Sequence, residues 1–219
     1  MTANSTDFVQ PDSFAFDAEC EAAISPLLAK YPPGKQASAV IPMLYLVQNQ
    51  MKRQTGSAWV PTVGMNEVAR RLDMAPIRVY EVATFYFMFN LRPIGTWHLQ
   101  VCTTTPCWLR GSDDVVAACR AATGIKGWGE TSADGVFTMT EVECVGACVN
   151  APVIQVNDDF YEDLDGPATE ALIDALRAGS PPAPGSVIGR HGSSPVGGKT
   201  TLTELPDVAH GGGGSGDAR

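Results

Sequence analysis

Two tight pairs of cysteines, Cys102 and Cys107 at C-x4-C spacing and Cys144 and Cys148 at C-x3-C, constrain this chain more than any other feature. Each pair is expected on a short loop that contains a proline or a glycine, Thr103-Thr104-Thr105-Pro106 in the first and Val145-Gly146-Ala147 in the second. Each loop follows a stretch that reads as a β-strand, so four sulfurs can converge on one inorganic centre. Four thiolates with no histidine between them favour iron and sulfide, and one [2Fe-2S] cluster on Cys102, Cys107, Cys144 and Cys148 is the favoured reading. Zinc stays open, because zinc knuckles commonly enclose two to four residues. Zinc ribbons, however, usually form small domains without another core, and these pairs sit in a large one. A disulfide framework is arithmetically open to six cysteines, yet no N-terminal stretch joins a basic flank to an apolar core as a secretory signal does. A thioredoxin-type redox pair needs C-x-x-C, which the sequence nowhere contains.

A chain of 219 residues, 44% hydrophobic, can bury a substantial core as one large domain or two small ones. The formal charge of -9 argues against a nucleic-acid partner, since phosphate binding needs a basic patch and only Lys52-Arg53 and Arg70-Arg71 approach one. An acidic surface suits protein partners. No apolar run nears the roughly 20 residues of a membrane span, so direct membrane insertion is not expected. The first basic residue is Lys30, and the acidic start is the opposite of an Arg-rich transit peptide; a cytoplasmic, bacterial location is the expectation.

From Asp17 to about Asn90 the pattern is helical. Glu19, Ala22, Ala23, Leu27 and Leu28 begin one amphipathic segment, and Ser38 to Gln54 forms a second. Tyr31-Pro32-Pro33-Gly34 separates them, and Pro61 and Gly64 punctuate the chain again. Asn66 to Leu72 and Ile77 to Asn90 read as a shorter helix and an aromatic-rich one, with Pro76 in the first turn of the latter. After Pro93-Ile94-Gly95 the period becomes alternating: Trp97, Leu99 and Val101 share one face of a strand, His98, Gln100 and Cys102 the other. Ser112 is the expected N-cap of a helix running to Ala122 and closed by Gly124. Val136 to Cys144 reads as a second strand, Pro152 to Val156 and Phe160-Tyr161 as a hairpin around Asn157-Asp158-Asp159, and Gly166-Pro167 as the opening of a last helix. Strand, helix, two or three strands and a helix is a thioredoxin-like order. Beyond Ala178 the Pro181-Pro182-Ala183-Pro184-Gly185 run and the Gly211 to Gly214 tract read as a tail, either disordered or docked in extended form on a partner through Leu202 and Leu205. The expected division is an arm over 1–16, a helical bundle over 17–92, a cysteine-bearing domain over 93–179 and a tail over 180–219.

Four stretches carry a specific likeness: Tyr31-Pro32, Arg78 to Tyr86 (RVYEVATFY), Cys102-Thr103-Thr104-Thr105-Pro106-Cys107, and Glu143 to Pro152 (ECVGACVNAP). They resemble the 24 kDa subunits of respiratory complex I, the NADH:quinone oxidoreductase, from about Asp17 to Gly179, and include all four of that family's ligand positions. Phe87 departs from the pattern where a threonine is expected. The resemblance implies an α+β protein with an N-terminal helical bundle followed by a thioredoxin-like [2Fe-2S] ferredoxin domain. It also implies a partner flavoprotein subunit that binds FMN and NADH, further iron-sulfur subunits, and a peripheral place on the cytoplasmic side of the bacterial inner membrane through the complex. Subunits of NAD-linked formate dehydrogenases and hydrogenases look similar and stay open as alternatives, as does a zinc-stabilised interaction module.

Around the cysteines, hydrogen-bond donors would raise a cluster's potential and carboxylates would lower it. The backbone N–H groups of Val145, Gly146 and Ala147 and the hydroxyls of Thr103 to Thr105 are candidate donors, Glu141 and Glu143 opposing charges, and Trp108 a candidate shield. Simple turn chemistry explains the threonines equally well. Cys20 and Cys119 are expected to be small core residues, His98 structural, and Phe85 to Phe89 core or interface packing. No GxGxxG follows a strand and no Walker A pattern occurs, so no nucleotide site and no catalytic residue is expected in this chain.

Overall fold

A computed structural model describes residues 8–198, 200, 201 and 203. The first half is helical. Asp17 caps α1 (Ala18–Leu28) by accepting from the Cys20 amide, and the chain then turns through the proline pair and a left-handed Gly34. A 3-10 turn at Gln36–Ala39 leads into α2 (Val40–Thr55), which stops at a left-handed Gly56. Then come α3 (Thr62–Leu72) and α4 (Pro76–Phe85). Met43, Leu44, Val47, Val60, Val68 and Val79 form the buried centre of this bundle. The preceding arm is tied to it: Phe8 stands edge-on to Trp59 at 5.4 Å, and the buried Gln50 side chain donates to the Ala15 carbonyl and accepts from the Asp17 amide.

The second half is a mixed sheet covered by helices. Its elements are β1 (Trp97–Cys102), the single turn α5 (Thr105–Leu109), α6 (Ser112–Thr123), β2 (Glu130–Thr131), β3 (Phe137–Val142), β4 (Val153–Val156), β5 (Asp159–Glu162), α7 (Gly166–Arg177) and β6 (Gly185–Ser186). The strands lie in the order β2-β3-β1-β4-β5-β6. β1 and β3 are parallel, as a crossover through α6 requires, whereas β4 runs antiparallel to β1 and to β5. Leu99, Val101, Phe137, Met139, Ile154 and Val156 join Leu172 and Ile173 of α7 in the second core. The opposite face is polar, and beside it a cleft of about 950 Å3 is lined by Arg92, His98, Trp128, Thr138 and Thr140. This is the α+β, thioredoxin-like arrangement that the strand and helix order implied.

Several expectations are corrected. α3 begins at Thr62, so Gly64 lies inside a helix instead of breaking the chain; it is glycine because an added Cβ would stand 2.6 Å from Val47 Cγ1 of α2. α4 ends at Phe85 and not near Asn90, because Tyr86 turns extended and the following residues are tied to α2 instead, Asn90 N–H donating to Gln48 Oε1. Left-handed Gly111, not Ser112, caps α6. The segment expected as a tail returns to its own domain: β6 pairs parallel with β5, and Tyr161 donates to the Pro182 carbonyl. Leu202, Leu205 and the Gly211 to Gly214 tract lie outside the described residues.

Candidate metal centre

The parallel register brings the two cysteine pairs together. Cys102 stands opposite Val142 at the shared C-terminal end of β1 and β3, so the loops that leave these strands emerge side by side. Their surroundings differ. Cys102 and Cys107 are each 1% exposed, packed with Ala151 and against Val142 and Val145, whereas Cys144 is exposed and Cys148 half-buried. Cys107 is not on an open loop as expected: Thr105-Pro106 starts the one-turn α5, which turns Cys107 inward. The same turn directs Trp108 outward, 57% exposed, so it does not shield the site.

The hydrogen bonding is specific. Cys144 Sγ and Cys148 Sγ lie 3.1 Å apart, and the Gly146 amide, in a left-handed turn, donates to Cys144 Sγ at 3.4 Å. Of the three candidate backbone donors, Gly146 is the one that bonds sulfur. Thr104 Oγ1 is 3.2 Å from Cys102 Sγ. Thr103 instead donates to the Glu141 carboxylate at 2.7 Å, while Thr105 is spent in starting α5.

These contacts set the thiol acidities. Burial, aided by the neighbouring Cys102, pushes the Cys107 thiol up to about 12. The Cys144 thiol is held below its ordinary value by its hydrogen bond with Cys148 and the Gly146 N–H; the same bond raises Cys148. A metal binding here would have to displace protons, as thiolate ligation always requires. Among the described residues no group of three or more His, Cys, Asp or Glu side chains is gathered tightly enough to enclose a single ion. The sulfurs stand instead as two pairs, one buried and one toward the surface. An all-thiol donor set in two pairs, with amide and hydroxyl donors facing sulfur, fits a two-iron group with sulfide bridges.

The other singled-out residues sit apart from this end of the sheet. Cys119 is buried in the second core, and burial pushes its thiol up to about 12. Cys20 is buried but not wholly apolar, since Arg53 donates to its sulfur at 3.3 Å and it donates to the Leu46 carbonyl. His98 Nε2 pairs with Thr140 Oγ1 at 2.8 Å on the polar face of the sheet, and burial lowers its pKa to about 4. Phe89 is buried, but Phe85 and Phe87 are exposed, the latter at 90%. Sequence reasoning missed Asn150, whose buried side chain donates to Glu162 Oε2 and to the Gly192 carbonyl. Its position two residues after Cys148 was the available signal.

Fold and thiols together define a thioredoxin-like protein with two cysteine pairs at one end of its sheet. The sequence model of the thioredoxin-like [2Fe-2S] ferredoxin family matches residues 24–177, and the chain belongs to that family. It is 51% identical over 165 residues to the E subunit of the NADH-quinone oxidoreductase of Rickettsia bellii, covering 75% of this chain and 95% of that one. Over 193 residues it is 46% identical to the mitochondrial NADH dehydrogenase [ubiquinone] flavoprotein 2 of Dictyostelium discoideum, covering 88% of this chain and 76% of the relative. Among solved structures, an NAD+-reducing [NiFe]-hydrogenase in its air-oxidised state shares the fold with a TM-score of 0.54 at 20% identity; the match spans 65% of this chain and only 23% of the hydrogenase chain.

Proposed function

We propose that this chain is an electron-transfer subunit of an NADH:quinone oxidoreductase, holding one [2Fe-2S] cluster on Cys102, Cys107, Cys144 and Cys148. The observation that carries this reading is the convergence of two thiol pairs at the end of one parallel strand pair. The half-identity to relatives named as E subunits of that oxidoreductase, over nearly their whole length, supports the choice of parent complex over a hydrogenase or formate dehydrogenase. A bound cluster would supply one-electron redox chemistry, while NADH delivers a two-electron hydride; FMN on a partner flavoprotein is the converter between them. The chain's own residues hold four thiolates, keep water from Cys102 and Cys107, aim the Gly146 amide and the Thr104 hydroxyl at sulfur, and leave the Cys144 side open for a partner protein. Other iron-sulfur subunits complete the path. No helix among the described residues is long and apolar enough to cross a membrane, and attachment to the cytoplasmic side of the inner membrane through the complex accords with this.

Anaerobic purification tests the reading. A reddish-brown protein with iron and acid-labile sulfide in equal amounts, and an electron-spin signal after dithionite, is the expected result. A colourless protein with stoichiometric zinc would instead make the chain a zinc-stabilised module.

A further inference from the structure

The segment after the last helix does more than close the sheet. Arg190, whose side chain is 7% exposed, pairs through Nη2 with Asp163, itself 4% exposed, at 2.7 Å. Its Nη1 donates to the Val149 carbonyl at 3.1 Å and to the Ser194 carbonyl. Val149 directly follows Cys148. One residue further on, Asn150 is gripped from three directions: its carbonyl accepts from the Asp163 amide at 2.7 Å, and its side chain donates to Glu162 and to Gly192 of the same late segment. Ser186 of β6 donates to the other Asp163 oxygen at 2.6 Å and accepts from the Arg190 amide, which fixes the guanidinium from behind. The 3-10 turn at Cys148–Asn150 is thus held by Glu162 and Asp163 at the end of β5 and by Arg190 and Gly192, some forty positions later.

We propose that Arg190 is a positioning residue for the second cysteine loop: from the 186–194 strap it clamps the Val149 carbonyl against Asp163, and so holds Cys148 and the adjoining turn in the geometry that presents sulfur to the cluster. The proposal rests on the cluster reading above. Arginine is required because its planar fork reaches a carbonyl and a carboxylate from different nitrogens, a span that the single ammonium of lysine cannot reproduce. The clamp acts in a buried place, where losing a hydrogen bond to a charged group is felt strongly.

Amide hydrogen exchange and redox titration on the full chain test it. In Arg190→Gln the amides of Asn150 and Ala151, which donate to the Ala147 and Cys148 carbonyls, should exchange at least about tenfold faster than in the wild type. Arg190→Lys should restore only part of that protection. The reduction potential should fall in Arg190→Gln, because an uncompensated Asp163 carboxylate opposes added negative charge. The double variant Arg190→Gln/Asp163→Asn removes both charges and should keep the fast exchange, which separates loop positioning from simple electrostatics. Unchanged exchange at Asn150 and Ala151 in folded Arg190→Gln would overturn the clamp. If that variant does not fold, wild-type exchange decides: Val187 and Arg190 should open at the same rate as Asn150 and Ala151, and independent opening would overturn it. Zinc in place of iron in the wild type would remove the cluster reading while leaving the exchange comparison to judge the clamp.

Discussion

The four thiols proposed as ligands differ in burial, yet serine at any of them is expected to act alike. Serine at Cys102, Cys107, Cys144 or Cys148 is expected to lose the cluster or perturb its spin signal, since a hydroxyl is a poor substitute for thiolate toward iron. Cys20→Ser and Cys119→Ser should leave it bound. Cys119→Ser should still cost about 1–3 kcal/mol in chemical denaturation, because its hydroxyl enters an apolar core; loss of the native signal from a folded Cys119→Ser protein would mean the ligands are misassigned. His98 yields a pH effect. Burial lowers its pKa from 6.5 to about 4, so the unfolded chain takes up the proton first as the pH drops. Its neutral form contributes full stability above pH 6.5, and that contribution is lost as the pH falls toward 4, by on the order of 3 kcal/mol. Thermal unfolding across this window should show a steeper decline for the wild type than for His98→Gln; parallel curves would refute the assignment.

Among elements, the informative contrast is between periodic segments and close contacts. The alternation from Trp97 to Val101 and the Asn157-Asp158 turn signal were sufficient to place β1 and the β4–β5 hairpin, because pleat and turn are local properties. The cysteine pairs were legible by spacing alone. The register that sets Cys102 opposite Val142 was not, because it depends on how α6 packs after the chain crosses over. Gly64 was misread for a similar reason: a glycine demanded by an approach to Val47 looks in sequence like one that ends a helix. Gly64→Ala gains roughly 1 kcal/mol of helix propensity and loses about 1–3 to crowding against a β-branched, fully buried neighbour. A lower midpoint in urea is therefore expected, and a stabilised Gly64→Ala would show that α2 and α3 part easily. Arg190 escaped notice because the glycine- and serine-rich 186–194 strap has no hydrophobic period, its hold being polar and long-range.

The whole molecule pairs a helical bundle, with exposed Phe85 and Phe87 at the end of α4, with a domain whose cysteine site opens to the surface at Cys144. Neither half carries a dinucleotide fingerprint, so the isolated chain should accept electrons from dithionite yet show no catalytic NADH consumption with ferricyanide until a flavoprotein partner is added. Sustained NADH oxidation in a flavin-free, partner-free preparation would contradict the carrier role. The sheet itself ends on both sides in strands of two residues, Glu130–Thr131 and Gly185–Ser186. Open β-edges recruit other chains, and very short outer strands offer too few free amides and carbonyls for another strand to zip against. The chain is thereby guarded against stacking on copies of itself, and on the β5 side that guard is lent by the same segment that carries Arg190.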